Sequence, residues 1–469
     1  MGSLNRRRFI AKSLAASTGL VAGAPAYIKG YARNKPNDTI NVAVAGIRSR
    51  GGYYYGGTGH AANFTKIDNS RVSVICDVDE NLYPQAIADI EKLGGAKPRT
   101  VVDYRDLLDD KEIDAIAIST PDYWHALQAI WACQAGKDVY IEKPISYTVE
   151  EGRKMVEAAR KYDRIVQAGT QYRSSQIVQQ AIKAIHDGIV GEVYMGRGVV
   201  FGHRPNIGRL ADSPVPEGVN WDLYRGPAPM IPFNKNHFHY NWHWYWDTST
   251  TEFGNNGVHV MDELRWGMKK KEQPVKISSS GGFYVWDSDQ EIPNLQVGIF
   301  EFADGKIMEI EVRSLFTNYE EGGTTGCFFY GSEGWMHLTG DGYEVFHGPK
   351  NEPGPKVNKN DLEPTEFEKA DIEFHFVNFL DCMRSRKWED LNADIEQGHG
   401  STSMMLVGNI AYHTGRKLIY DGENEKFIND KEADAYLTRD YREPWVLPKE
   451  IWNPNYCWYG MIIRFINVK

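Results

Sequence analysis

Lys143 stands at the end of a short apolar run and directly before a proline, in Val139-Tyr140-Ile141-Glu142-Lys143-Pro144. Pro144 has a fixed φ and disfavours a helical conformation of the residue before it, so we expect an extended Lys143 whose amine is aimed by the backbone. An amine held at the end of a buried strand is a candidate for proton transfer. The alternative is a solvated Glu142-Lys143 pair after an edge strand.

A central segment from His237 to Asp247 is dense in aromatic rings and imidazoles. By residue type, His237, His239 and His243 form a candidate metal site. The tryptophans around them favour sugar stacking or a rigid loop instead, because sugars present apolar C–H faces to flat rings. We therefore predict no metal. The wall of a sugar pocket, or else core packing, is the expected role of Trp221, Arg225, Trp242 and Trp244.

The elements that must position these residues begin with a β-prone run, Ile40 to Ala45, which ends at a glycine-flanked turn. In a Rossmann unit such a turn cradles a pyrophosphate, since glycine lets the backbone approach the phosphates. Arg48 occupies the place of the second glycine of G-x-G-x-x-G, so the loop must be wider or must tilt the phosphates. An ordinary strand-to-helix turn is the alternative. The predicted cofactor contacts in this turn are Gly46, Ile47, Arg48, Ser49, Arg50 and Gly51.

The second predicted strand, Arg71 to Cys76, ends at Asp77. A carboxylate at this place accepts hydrogen bonds from ribose hydroxyls and repels a 2′-phosphate, which favours NAD over NADP. NADP stays an alternative, because Arg48 or Arg50 could reach its phosphate.

Strand and helix patterns alternate through the first third of the chain. A helix over Tyr83–Leu93 and a strand over Ala115–Ile118 lead to the strand that precedes Lys143. This alternation predicts a doubly wound parallel sheet. Functional groups of such a sheet gather at the carboxyl ends of its strands. The candidates at those ends are Gly46, Asp77, Thr120 and Lys143.

Four separated motifs stand along the chain: Thr120-Pro121 with His125, Glu142-Lys143-Pro144, the stretch from Gln167 to Arg173, and the predicted helix from Val258 to Trp266 with His259. These motifs resemble those of the Gfo/Idh/MocA oxidoreductase family. Each motif alone is weak, but together they stand in the family's order and at its distances. The resemblance covers residues 40–448 and thins between Gly202 and Asn241.

The resemblance implies that a nicotinamide takes a hydride from a secondary alcohol while a base accepts the hydroxyl proton. It assigns Lys143 to the hydroxyl and His259 to taking or relaying the proton. Desolvation lowers the pKa of a lysine and histidine titrates near neutrality, so both roles are chemically sound. The further cofactor contacts that it implies are Thr120, Pro121, His125, Glu142, Lys143 and Gln171. The expected substrate contacts are Arg173, Trp221, Trp242, Asn255, His259 and Asp262.

Asn255 departs from the family pattern, in which many members carry an aspartate four residues before the histidine. An amide can position a hydroxyl but cannot accept its proton. Proton transfer then falls to Lys143 and His259. Asp262, on the same predicted helix, either orients a neighbour or touches substrate.

Beyond Arg173, short runs such as Gln296–Phe302 and Ile307–Val312 alternate apolar and polar residues. This pattern predicts an open, mostly antiparallel sheet in a C-terminal α+β domain. The predicted fold class is thus α/β, with an N-terminal Rossmann domain over 38–170 and a substrate-binding and oligomerisation domain over 171–450. By resemblance, we expect a homo-oligomer that covers the open sheet.

The first 26 residues predict a twin-arginine export signal: Arg6-Arg7-Arg8-Phe9 precedes a mild apolar stretch and small residues up to Ala26. A basic amphipathic helix or a disordered tail is the alternative. We therefore expect a periplasmic protein. The apolar C-terminal tail over 451–469 has no functional interpretation.

The amino-acid composition and net charge exclude some classes of binding partner. The chain is 42% apolar and 25% charged, as in ordinary globular proteins, and its net charge of −10 argues against a nucleic-acid or anionic-membrane partner. No later run approaches the roughly 18 apolar residues of a membrane span, so we expect no membrane contact beyond export. The five cysteines lack C-x-x-C spacing, which predicts buried free thiols.

Three functions are in competition. The favoured one is an NAD-dependent oxidoreductase that acts on a sugar, sugar acid or glycoside and holds its cofactor tightly, because free NAD is scarce outside the cytoplasm. The second is glycoside hydrolysis through transient oxidation; relatives that use it tend to lose the lysine of the E-K-P motif, whereas this chain keeps Lys143. The third is a non-catalytic sugar-binding protein, against which the joint presence of Lys143 and His259 argues.

Overall fold

A computed structural model describes residues 39–53, 57–315, 323–362 and 371–451. The predicted export signal (1–26) and all but the first residue of the predicted tail (451–469) lie outside these residues. From Ile40 onward the described chain forms one compact unit with two sheets.

The first sheet consists of parallel strands. They are β1 (Ile40–Ala45), β2 (Ser70–Cys76), β3 (Arg99–Val101), β4 (Ala115–Ile118), β5 (Asp138–Ile141) and β6 (Val166–Ala168). Their order is β3-β2-β1-β4-β5-β6, and all neighbours are parallel. This doubly wound order confirms the predicted Rossmann fold. Because β5 lies between β4 and β6, the alternative of an edge strand before Lys143 is wrong.

Helices cover both faces of the first sheet and one face of the second. The helices are α1 (His60–Lys66), α2 (Tyr83–Lys92), α3 (Asp122–Gln134), α4 (Val149–Lys161), α5 (Gln176–His186), α6 (Trp221–Arg225), α7 (Val258–Gly267), α8 (Asp371–Ser385), α9 (Ile395–Thr414) and α10 (Lys431–Ala435). Local signals explain several of these bounds. For example, α4 begins at a capping box in which Thr148 and Glu151 bond each other's backbone amides.

One layer against the parallel sheet comes from far downstream in the chain. Phe376 of α8 stacks on Tyr140 of β5 at 4.6 Å between ring centroids and meets Phe64 of α1 edge-on at 5.0 Å. The Rossmann sheet is therefore completed by a helix that lies well beyond the predicted boundary at residue 170. Helices α3 and α4 cover the opposite face, with Ile130 and Met155 fully buried.

The second sheet is open and mostly antiparallel, as predicted. Its strands are β7 (Val193–Val200), β8 (Lys276–Gly282), β9 (Leu295–Glu301), β10 (Ile307–Arg313), β11 (Thr325–Gly331), β12 (Gly334–Thr339), β13 (Gly342–His347), β14 (Glu352–Asn358), β15 (Leu418–Asp421) and β16 (Lys426–Phe427). Their order is β14-β13-β12-β11-β7-β10-β9-β8-β15-β16. Only the β7–β10 pair is parallel among these described strands.

The two faces of the second sheet differ in character. Helices α5, α7 and α9 bury one face, where Ile182, Leu264 and Met405 pack in a common core. Burying a side chain of this size contributes about 1.5–3 kcal/mol. The other face keeps apolar side chains in contact with solvent: Trp335 and Phe346 stack across β12 and β13 at 4.4 Å, and Ile299 is 39% exposed.

Four of the five cysteines, Cys76, Cys133, Cys327 and Cys382, are buried free thiols, which confirms that prediction for the described residues. Cys457 lies outside them. None of the helices in the described part of the chain combines the length and apolar character needed to cross a membrane.

Candidate active site

The loop after β1 packs so closely that only glycine fits at several of its positions, Gly46 and Gly51 among them. Gly46 has a φ of +81°, and a Cβ there would lie 2.6 Å from the carbonyl oxygen of Ser119. A Cβ on Gly51 would lie 1.8 Å from the carbonyl oxygen of Gly46. Glycine is therefore required for the close packing of this loop against itself and against the turn after β4.

Asp77 lies beside this loop at the end of β2. Its Oδ2 atom accepts a hydrogen bond from the backbone amide of Ile47 at 2.8 Å, and its Oδ1 atom accepts one from the amide of Asp79 at 3.0 Å. Burial raises the pKa of Asp77 to about 6, against the effect of these hydrogen bonds. The carboxyl group is therefore mostly ionised at pH 7.

A cavity of about 590 Å³ extends from the glycine loop to the second sheet. Sites for cofactors and small ligands typically measure roughly 300–1,000 Å³. Ile47 and Gly51 do not line this cavity but shape the loop that does. The predicted site residues that line it are Gly46, Arg48, Ser49, Arg50, Asp77, Thr120, Pro121, His125, Glu142, Lys143, Gln171, Trp242, Asn255 and His259.

Glu142 is a buried anion at the centre of this wall. Its Oε1 atom lies 3.1 Å from Nε of Arg50 and 2.9 Å from Nε2 of His60. With the Gln171 amide oriented toward Arg50, its oxygen accepts a hydrogen bond from that guanidinium at 2.7 Å. Burial raises the pKa of Glu142, but Arg50 and His60 outweigh it and hold the pKa well below its usual range. Arg50 is therefore bonded to Glu142 and Gln171, not left solely for a phosphate.

Lys143 reaches across the cavity to the segment before α7. Its Nζ atom donates hydrogen bonds to the backbone oxygen of Asn255 at 2.6 Å and to Oδ1 of Asn255 at 3.1 Å. Burial lowers the pKa of Lys143 to about 8, although Glu142 raises it. A sizeable fraction of the amine is consequently neutral near pH 7–8 and can accept a proton.

His259 lies in the first turn of α7, with its ring edge-on to Tyr172 at 5.1 Å between centroids. Burial, together with the charge of Lys143, lowers the pKa of His259 well below its ordinary value, so the ring is neutral at pH 7. Its Nδ1 atom has no hydrogen-bond partner among the described residues. The ring can therefore accept or relay a proton from a group bound in the cavity.

His125 joins the two motif turns. One ring nitrogen lies 2.8 Å from the carbonyl oxygen of Thr120, and the other lies 2.7 Å from that of Pro144. Burial lowers the pKa of His125 to about 4 although both carbonyls raise it. The histidine of the T-P-x-x-x-H motif thus fixes the turn after β4 against the turn that carries Lys143.

Two predicted substrate contacts, Arg173 and Asp262, do not line the cavity. Arg173 Nε lies 2.6 Å from Asp262 Oδ2, and Asp262 Oδ1 also accepts a hydrogen bond from Ser401 at 2.7 Å. Both side chains are buried, and their ion pair joins the 3-10 turn after β6 to α7, with Ser401 linking them to α9. Of the two roles considered for Asp262, the structure shows the orienting one.

Trp221 also lies away from the cavity. Its ring stacks on Tyr224 at 5.1 Å, and its indole N–H donates to the carbonyl oxygen of Ile231 at 2.8 Å. Phe233 and Phe238 complete this small core. Trp221 therefore packs, whereas Trp242 lines the cavity and stacks on a neighbouring imidazole.

The three histidines of the aromatic segment take separate partners. His239 Nε2 lies 2.9 Å from Asp79 Oδ2, His243 Nδ1 lies 2.6 Å from the carbonyl oxygen of Tyr240, and His237 stacks on a tyrosine. Within residues 39–53, 57–315, 323–362 and 371–451, no group of three or more His, Cys, Asp and Glu side chains is arranged to hold a metal ion.

Two charged residues near Asn255 were missed by the sequence reasoning. Glu252 is buried and bonds the Asn255 amide at 2.9 Å, and Arg204 pairs with Glu252 at 3.0 Å. A signal for Glu252 was present, since an acidic residue opens the polar stretch Phe253-Gly254-Asn255-Asn256-Gly257. Arg204 lies in an irregular loop where no pattern marks it.

Two family models match the chain. One, described as oxidoreductase family with an NAD-binding Rossmann fold, matches residues 40–170. The other, the C-terminal alpha/beta domain of the oxidoreductase family, matches residues 201–323 and 343–447. The chain belongs to the Gfo/Idh/MocA oxidoreductase family. The Gfo/Idh/MocA assignment agrees with the parallel sheet and with the open sheet that follows it.

Solved structures share the Gfo/Idh/MocA fold of this chain. A levoglucosan dehydrogenase in complex with NADH and levoglucosan has a TM-score of 0.60 and 17% identity, over 81% of this chain and 99% of that one. The aldose-aldose oxidoreductase from Caulobacter crescentus, complexed with glycerol, has a TM-score of 0.59 and 18% identity, over 81% and 99% of the two chains. At such identities the likeness is one of fold.

A curated relative of this Gfo/Idh/MocA chain is a Glycosyl hydrolase family 109 protein from Shewanella baltica (strain OS195). It is 28% identical over 218 residues, which are 42% of this chain and 46% of the relative. A second, from Shewanella pealeana, matches over 34% of each protein at the same identity. The chain thus spans less than half the length of these curated relatives.

The cavity fits the NAD for which the family's Rossmann domain is named. Gly46, Arg48 and Ser49 of the loop after β1 line the cavity, and Asp77 stands at the strand end from which a carboxylate binds ribose. Lys143 and His259 line the same cavity at the second sheet, where the reacting end of the ligands would lie.

Proposed function

We propose that the protein is an NAD(P)-dependent oxidoreductase that oxidises a secondary hydroxyl of a sugar or glycoside to a ketone, or reduces that ketone back to the hydroxyl, and keeps its cofactor tightly bound. The observation that carries the proposal is the presence of Lys143 and His259 in one cavity with the glycine loop and Asp77. Bound nicotinamide supplies the hydride acceptor or donor.

The chain's own residues handle the proton. Lys143, with a pKa of about 8, hydrogen-bonds the reacting hydroxyl and is held in place by Asn255. The neutral ring of His259 accepts the hydroxyl proton or relays it to Lys143, because its Nδ1 atom is uncommitted within the described structure. General-base catalysis of this kind typically contributes 10²–10⁴-fold in rate.

A sugar is the proposed substrate because of the cavity's aromatic wall. Trp242, Tyr240 and His243 line the cavity, and aromatic rings can pack against the apolar C–H face of a sugar ring. The levoglucosan dehydrogenase and the aldose-aldose oxidoreductase of similar fold support the same class of substrate.

The proposal is tested in two steps on purified protein. Denaturation should release NAD or NADP, identified by chromatography. The native protein should then reduce its nicotinamide when incubated with a panel of sugars, followed by absorbance, and Lys143→Ala should lower that rate by about 10²-fold or more. Glu311→Gln, on the open face of the second sheet, is the matched control and should react like wild type. Intact turnover in Lys143→Ala would refute the assignment.

A second candidate function is glycoside hydrolysis through transient oxidation. The observation that favours it is the similarity to proteins named Glycosyl hydrolase family 109. Aryl glycosides added to the same protein distinguish the two. Catalytic aglycone release without net cofactor reduction would support hydrolysis, whereas stoichiometric reduction without aglycone release would support the dehydrogenase. Binding of sugars with neither reaction would indicate the third candidate, a non-catalytic sugar-binding protein.

We also propose that two copies associate through the open sheet. Trp335, Phe346 and Ile299 leave apolar surface on its uncovered face, which a second copy would bury. Light scattering coupled to size exclusion should show an oligomer for the wild type, and Ile299→Lys should weaken it. A monomeric wild type at micromolar concentration would refute the association.

Export to the periplasm is proposed on the N-terminal sequence alone. Within Arg6-Arg7-Arg8-Phe9, Arg6 and Arg7 precede the apolar stretch in the order of a twin-arginine signal. Replacing both by lysine should retain the protein in the cytoplasm, as measured by cell fractionation. Unchanged export of the double variant would exclude this route.

A further inference from the structure

Glu252 is a buried carboxylate that lies behind the cavity wall. It is 3% exposed and does not line the cavity itself. Its Oε1 atom accepts hydrogen bonds from Asn255 Nδ2 at 2.9 Å and from Arg204 Nε at 3.0 Å. Its Oε2 atom accepts from Asn256 Nδ2 at 2.9 Å and from a second Arg204 nitrogen at 3.2 Å. Four donors therefore fix the position of this anion.

The carboxylate also fixes which way the Asn255 amide points. Because the amide nitrogen of Asn255 donates to Glu252, the amide oxygen is turned toward Nζ of Lys143 at 3.1 Å. An amide carries a donor and an acceptor at opposite ends, so it can bridge an anion and a cation without itself being charged. The resulting chain of contacts runs from Arg204 through Glu252 and Asn255 to Lys143.

We propose that Glu252 is a positioning residue for Lys143, which acts through Asn255 and supplies the negative charge that an aspartate at position 255 would otherwise provide. This inference deepens the proposed function, since it rests on Lys143 being the amine that meets the substrate hydroxyl. It also explains the departure at Asn255. An aspartate at position 255 would lie about 3 Å from the Glu252 carboxylate, and one of the two carboxylates would have to take a proton. The uncharged amide of Asn255 avoids this repulsion.

The backbone between these residues is adapted to this arrangement. Phe253–Gly257 forms a π-helical turn that joins Glu252 directly to α7 and His259. Such turns are rare and occur frequently at functional sites. The turn presents both the backbone oxygen and the side-chain oxygen of Asn255 to Lys143.

The charges around Lys143 determine whether a change at Glu252 raises or lowers the pKa of its amine. Glu142 and Glu252 raise the pKa of Lys143, whereas burial, Arg50 and Arg204 lower it. The buried rings of His125, His243 and His259 also face the amine but are neutral at pH 7, because burial lowers the pKa of each. Neutralising Glu252 removes a negative charge that raises the pKa of Lys143, while the positive charge of Arg204 that lowers it remains, so the neutral amine is favoured.

The test measures the amine directly in the resting protein. Lysines are dimethylated with ¹³C-formaldehyde, the Lys143 signal is assigned by its loss in Lys143→Arg, and its pKa is read by NMR titration. Glu252→Gln should lower the pKa of Lys143 by about one unit or more. The double variant Glu252→Gln/Asn255→Asp should restore it, because the charge returns beside the amine. Glu263→Gln, which replaces another buried carboxyl away from the cavity, should leave the pKa unchanged.

If Glu252→Gln does not fold, a second variant tests the proposal. Glu252→Asp keeps the charge but shortens the side chain, so it should lose its bond to Asn255 and shift the Lys143 pKa downward by less. The proposal is overturned if the Lys143 pKa is unchanged in whichever of Glu252→Gln and Glu252→Asp folds. It is also overturned if Asn255→Asp does not reverse the shift that Glu252→Gln causes. The pH profile of sugar-dependent cofactor reduction should move with the NMR value. A wild type without turnover but with the NMR shift would refute the proposed function and leave this inference standing.

Discussion

The Nζ atom of Lys143 lies 3.1 Å from Oδ1 of Asn255, across the junction of the two sheets. Lys143 follows β5 of the parallel sheet, whereas Asn255 precedes the helix that covers the open sheet. The amine that we assign to the substrate hydroxyl is therefore held by both halves of the described structure. Any change in how these halves pack should alter its environment.

Oxidation of the alcohol should accelerate as pH rises through about 8. The pKa of Lys143 is lowered to about 8 by burial, and only the neutral amine accepts a proton. Below that pH the initial rate of cofactor reduction should rise about tenfold per pH unit, and the reverse reaction should show the opposite trend. In Lys143→Arg the inflection should disappear. A wild-type rate that is flat across this range would contradict the role of Lys143.

Gly46→Ala should abolish cofactor binding and destabilise the fold. A Cβ at Gly46 would meet the carbonyl oxygen of Ser119 at 2.6 Å, in addition to the strain of a φ of +81°. The matched control is Gly305→Ala, because Gly305 has a φ of +83° but no atom within 4 Å of its Cβ position. Urea unfolding should show about 1–3 kcal/mol of strain in both variants. Only Gly46→Ala should lose more unfolding free energy than this strain and release nucleotide. Equal losses in the two variants would contradict the close packing of Gly46 against Ser119.

Asp77→Asn should reduce the preference for NAD over NADP. The carboxylate repels a 2′-phosphate, and an amide of the same shape removes that charge. Fluorescence titration should show tighter NADP binding by about 10-fold, which corresponds to about 1.4 kcal/mol. Since the pKa of Asp77 is about 6, the wild-type preference for NAD should also weaken as pH falls below 6. Asp89→Asn is the control, because Asp89 lies in α2 and does not line the cavity.

Asp262→Ala should destabilise the protein without changing sugar affinity. The substitution leaves the buried guanidinium of Arg173 without its carboxylate, a change that typically costs about 3–5 kcal/mol. Arg173→Met/Asp262→Ala should recover part of this loss, because the unpaired charge is removed. Denaturant unfolding measures the loss of stability, and the KM for the sugar shows whether substrate affinity changes. A large rise in KM with unchanged stability would restore Asp262 as a substrate contact.

Much of this architecture was predictable from local patterns. The strands at Ile40–Ala45 and Ala115–Ile118 and the helix beginning at Tyr83 are where alternation and apolar runs place them. Such elements depend on neighbours within a few residues, which the sequence contains directly. The roles of Lys143 and His259 follow instead from the family resemblance of several separated motifs.

The chain by itself thus determined the two sheet types, the glycine loop and the strand-end Asp77, and its resemblance to the family indicated Lys143 and His259 as the side chains for the proposed proton transfer. Only the tertiary structure decided which residues face the cavity. It paired Arg173 with Asp262, packed Trp221 into its own small core, and placed Glu252 and Arg204 behind Asn255. The physical reason is that burial and pairing of charges depend on residues far apart in the chain, such as Lys143 and Asn255. No local pattern records the low-dielectric environment that lowers the Lys143 pKa to about 8.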